Sequence, residues 1–84
     1  MNKIWIMKSV NEWFSIDLDK IENFSCISKN GIGSDWLYIN NKLVTLDEGL
    51  ALFKALESFL VRGGDRDELY NEVDRFNAQK KSNQ

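Results

Sequence analysis

Along the strand-like segments of this chain, aliphatic residues occupy one parity and aromatic residues the other. In Lys3-Ile4-Trp5-Ile6-Met7 and again in Trp36-Leu37-Tyr38-Ile39, Ile and Leu alternate with Trp, Tyr or Met. An antiparallel sheet with one face on a core and one in water alternates apolar with polar. Strands that are apolar on both faces need a second cover, from another element of the chain or from another molecule.

The same patterning divides the chain into elements. Residues 3–9 read as a first strand and Glu12 to Ile16 as a second, with Asn11 as the turn former between them. Asp17-Leu18-Asp19-Lys20 reads as a polar or short helical turn. Ile21 to Ser28 reads as a third strand of poor parity, which a bulge would reconcile. Lys29-Asn30-Gly31-Ile32-Gly33-Ser34 is the clearest loop, because two glycines and an Asn permit positive φ. Trp36–Ile39 and Lys42–Val44 form a hairpin around Asn40-Asn41, a pair suited to a two-residue left-handed turn. That register sets Ile39 against Lys42, Tyr38 against Leu43 and Leu37 against Val44.

Two helices follow. Thr45-Leu46-Asp47-Glu48 has the spacing of a capping box, and Gly63-Gly64 is a stop of the left-handed kind. At about 100° per residue, Leu46, Leu50, Phe53, Leu56, Leu60, Leu52 and Phe59 spread over nearly half the helix circumference, a stripe wide enough to meet both a sheet and a second element. Asp65-Arg66-Asp67-Glu68 repeats the cap pattern and opens a second, shorter helix to about Ala78, with Leu69, Val73 and Phe76 on one stripe. The fold expected is therefore α+β: an antiparallel β-meander of four to five strands, then an amphipathic helix and a shorter C-terminal one. Residues 1–78 read as one domain and 79–84 as a polar, fraying tail.

Composition changes this picture in one respect. Hydrophobic content of 43% and charged content of 29% are ordinary for a globular chain, but three Trp, five Phe and two Tyr in 84 residues are many. Rings serve equally to enlarge a small core and to anchor an interface. The formal net charge of −2 argues against general nucleic-acid binding, which draws its affinity from Lys and Arg on phosphates. The single cysteine, Cys26, excludes an internal disulfide and suits a reducing compartment. The longest apolar stretch, Leu50 to Val61, carries Lys54 and Glu57 and falls short of a membrane span, so a cytoplasmic location is expected.

Candidate chemistry is sparse. Histidine is absent, which removes the commonest general base and metal ligand. Cys26 lies in a strand interior with no base beside it in sequence and reads as a small hydrophobe. Asp17, Asp19 and Glu22 have a cation-like spacing but lack the further oxygen ligands and Gly of a calcium loop, so turn and cap roles are expected. Gly31-Ile32-Gly33 precedes a strand where a phosphate loop needs a helix. No enzyme activity, metal or cofactor is expected.

The function expected is that of a small protein-binding module, a regulatory, inhibitory or accessory factor whose size and style suit a bacterial or phage protein. Its partner would be another protein or a second copy of this chain. The candidate surface comprises Trp5, Trp13, Trp36 and Tyr38, with Asp65, Asp67, Glu68 and Glu72 steering a basic partner. The rival class is single-stranded nucleic acid stacked on the aromatic face. A plainer outcome would have the first helix cover the aliphatic face and the second fold onto the rings.

Overall fold

A computed structural model describes residues 2–28 and 35–82; the 29–34 loop expected from its glycines lies outside them. The element order is β1 (Lys3–Ser9), β2 (Glu12–Asp17), a 3-10 turn (Leu18–Lys20), β3 (Phe24–Ser28), β4 (Asp35–Ile39), β5 (Lys42–Thr45), α1 (Gly49–Leu60) and α2 (Arg66–Ser82). Strands precede helices, as the α+β reading predicts. The meander, however, is split: β1 and β2 form an antiparallel ribbon, and β3-β4-β5 form a separate antiparallel sheet.

Side chains in the connection explain the split. Asn40, in the β4–β5 turn, accepts hydrogen bonds from the amides of Glu22 (2.7 Å) and Asn23 (3.2 Å) and donates to the Lys20 carbonyl at 3.0 Å. Backbone groups that could have continued a ladder from β2 are thereby tied to the far hairpin. For the same reason β3 starts at Phe24, later than the Ile21 its sequence suggests, and it pairs with β4 without a bulge. Asn40 and Asn41 both adopt positive φ, 51° and 66°, as the two-residue turn requires. Ile39 pairs with Lys42 and Tyr38 with Leu43 as expected, but the register then shifts and Leu37 meets Thr45 in place of Val44.

That shift also displaces the first helix. Thr45 is still in β5, and its hydroxyl donates to the Asp47 carbonyl (3.0 Å) and accepts from the Asp47 amide (3.2 Å). The capping box therefore does not form: α1 begins at Gly49, and Glu48 before it is left-handed with no side-chain cap. Gly49 itself is required by proximity, since a Cβ there would stand 2.6 Å from the Asp35 carbonyl oxygen and 2.9 Å from Leu37 Cβ. Leu46, now ahead of the helix, and Leu50, in its first turn, both assigned to the apolar stripe from sequence, are exposed. At the other end Gly63 takes φ 69° and the Gly64 amide donates to the Ser58 carbonyl at 2.8 Å, the stop its glycines predict.

The second helix starts as expected, with Asp65 accepting from the Asp67 amide at 2.9 Å. It is the longer of the two, 17 residues against 12, and runs past Ala78 because Lys80 is anchored. Its ammonium donates to Thr45 Oγ1 at 3.3 Å, lies 3.9 Å from Asp47 and sits 5.6 Å from the Phe76 ring centre.

Both helices lie on the aliphatic side of the strands. One core holds Ile4 and Ile6 of β1, Leu37 and Ile39 of β4, Val44, Leu52 and Leu56 of α1, and Leu69, Val73 and Phe76 of α2. The wide stripe of α1 reaches β3, β4 and α2, while α2 packs on β1. Each fully buried Leu or Ile removed from water contributes about 1.5–3 kcal/mol. The plainer alternative, in which α2 folds onto the rings, is not met, because Leu69, Val73 and Phe76 are taken up by this core. No helix is long and apolar enough to cross a membrane among the described residues.

Candidate functional site

Two aromatic outer faces result. On the ribbon, Trp5 pairs with Ser15 and Met7 with Trp13, so the two indoles are diagonal neighbours on the side away from Ile4 and Ile6. Trp5 is 56% and Trp13 48% exposed, while Met7 between them is buried. On the three-stranded sheet, Ile27 lies opposite Trp36, and Tyr38 lies between Ser25 and Leu43. Ile27 and Leu43 are exposed; Trp36 and Tyr38 are half-buried.

The ribbon's indoles border a groove against α2. Asn77 fixes its geometry: the Met7 amide donates to Asn77 Oδ1 at 2.8 Å, and Asn77 Nδ2 donates to the Trp5 carbonyl at 2.9 Å. One side-chain amide thus engages the acceptor and donor that a neighbouring strand would have taken, and blunts the free edge of β1. One and two turns earlier on the same flank of α2 stand Asp74 and Tyr70. The groove has a volume of about 520 Å³ and is lined by Lys3, Trp5, Trp13, Tyr70, Asp74 and Asn77, with Ile4 and Val73 at its floor.

The acidic residues nominated from sequence lie elsewhere. Asp65, Glu68 and Glu72 line the groove between α1 and α2, on the opposite flank of α2 from Tyr70 and Asp74. Asp67 is exposed, Asp65 is occupied as the helix cap, and Glu72 is paired with Arg75 through two hydrogen bonds, one of 2.6 Å. The structure therefore brings Trp5 and Trp13 together, sets Trp36 and Tyr38 on the second sheet, and separates the acidic set from both indoles. Asp74 and Tyr70 were missed in the sequence. Their signal is the spacing of Tyr70, Asp74 and Asn77 at four and three residues, which marks one helix flank beside the apolar stripe.

The remaining candidates have local roles. Asp17 accepts from the Asp19 amide at 3.0 Å, and the Asp19 carboxylate accepts from Asn2 Nδ2 at 3.1 Å. Cys26 is half-buried on β3, opposite Leu37; burial first, and the charge of Asp35 second, raise its thiol pKa above the ordinary value. Both effects suppress the thiolate that a nucleophile needs. Comparison with protein-family models, curated proteins and solved structures returns no match.

Proposed function

We propose that this chain is a small, non-catalytic protein-binding module that acts as a regulatory or accessory factor through its aromatic outer faces. The observation that supports this reading is the half-exposed pair Trp5 and Trp13, held on the side of the strands away from the common core and bordered by α2 along one edge. Large rings left in water are costly in area and are enriched among residues that anchor interfaces. The rings also sit on strands rather than loops, so they are ordered before binding and little side-chain entropy is lost on contact.

The test is affinity recovery from the native host with the wild-type chain, Trp13→Ala and Trp36→Ala, each checked by thermal melting. The expected result is a protein retained by the wild type and lost by at least one variant that melts normally. Recovery of salt-labile nucleic acid instead, or a wild-type chain that retains nothing and stays monomeric at high concentration, would overturn the reading.

A further inference from the structure

We propose that the groove between β1 and α2 receives the guanidinium of an arginine side chain presented by a basic partner. This rests on the protein-binding reading above and gives its partner a chemistry. Three rings from three elements, Trp5 of β1, Trp13 of β2 and Tyr70 of α2, line the groove together with the carboxylate of Asp74. Aromatic faces attract cations through their quadrupole, and indole does so best. A carboxylate beside them fixes where the cation sits and rejects anions.

Two charged side chains line the groove, Lys3 and Asp74. Lys3, on its rim, stands directly across β1–β2 from Asp17. Arg66, on the same flank of α2, lies over the Phe59 ring at 5.8 Å and is directed toward α1. Lys8 lies over Phe14 at 5.6 Å, on the other face of the ribbon. Among the described residues, Asp74 makes no hydrogen bond or ion pair, whereas Glu72 and Asp47 each have a cation. The Asp74 carboxylate is therefore open to a cation from outside.

The chemistry of the lining favours arginine over lysine. A guanidinium is planar, stacks on indole, sheds water more readily than an ammonium and can present two donors to one carboxylate. Asn77 contributes by positioning: its two bonds to β1 hold the helix flank beside the indoles and leave Asp74, one turn earlier, facing open solvent.

The experiment titrates the isotopically labelled chain with acetyl-Gly-Arg-Gly-amide, and with the citrulline and lysine versions, while following the three indole N–H resonances. The arginine peptide is expected to shift Trp5 and Trp13 saturably, with an affinity of about millimolar for so small a ligand, and to leave Trp36 in place. Citrulline should give no saturable shift, lysine a weaker one, and Asp74→Asn should weaken the arginine peptide by about threefold to fivefold. Asp74 is exposed, so the variant should keep the wild-type spectrum elsewhere; Glu68→Gln, on the opposite flank of the same helix, serves as a second variant and should leave binding unchanged. Equal response to citrulline, an unchanged affinity in Asp74→Asn, or movement of Trp36 alone would overturn the proposal. A partner still captured through Trp36 in that event would leave the broader binding reading intact.

Discussion

The ribbon and the three-stranded sheet carry the same alternation of aliphatic and aromatic residues, yet their rings end in different environments. In the sheet, β4 is central, and Tyr38 has a neighbour on each side, Ser25 and Leu43. In the ribbon each strand has one partner, and Trp5 faces only the small Ser15 across the ladder. A ring on a central strand is shielded laterally by its neighbours; one on a ribbon is not. Tyr38 is accordingly half-buried, as is Trp36 opposite Ile27, while Trp5 and Trp13 stand out from the surface. Lateral neighbours, as well as ring content, set how far each ring stands out.

The two regions are also held by different means. The sheet is clamped by α1 at close range, through Gly49 over β4 and through the Phe24–Phe53 ring pair at 5.4 Å. The ribbon is held by Ile4 and Ile6 on the stripe of α2 and by the Asn77 amide.

The largest expected effect breaks the sheet's side of this comparison. Leu37→Ala empties a fully buried position in the common core and should cost about 3 kcal/mol in urea unfolding. Gly49→Ala should cost about 2 kcal/mol, because its methyl has no room against the Asp35 carbonyl and either α1 or β4 must shift. A neutral Gly49→Ala would show that α1 is not pinned there. Asn77→Ala should cost about 1 kcal/mol and, in amide hydrogen exchange, lower protection in β1 and β2 more than in β3–β5. Equal loss in both sheets would mean that they open as one unit. Trp13→Ala should cost under about 1 kcal/mol, and Trp36→Ala more, in the order of their burial. Smallest is the effect of Asp35→Asn on Cys26. Alkylation of the wild-type thiol should have its midpoint above that of a free cysteine, and the variant should bring it part of the way down, burial being the larger cause.

Much of the fold was legible because its signals are local. Asn40-Asn41 and Gly63 specify backbone conformations that few other residues adopt, and both occur as read. The buried stripe Leu69, Val73 and Phe76 follows from helical period alone. The capping box failed for a non-local reason: Thr45 is claimed by pairing with Leu37. The second helix outlasts its expected end because Lys80 reaches Thr45 and Asp47, residues more than thirty positions earlier.

The candidate surface divides in the same way. Alternation in 3–7 and 36–39 is enough to put indoles on one face and aliphatics on the other, since side chains on a strand must alternate. Which face the helices would take, that Asp74 and Tyr70 would stand beside Trp5 and Trp13, and that Glu68 and Glu72 would turn away from them depend on how α2 is rolled about its axis. That rotation is fixed by distant partners, Ile4, Ile6 and Leu56 in the core and the β1 backbone at Asn77. Periodicity determines which residues share a face; only packing determines what that face meets.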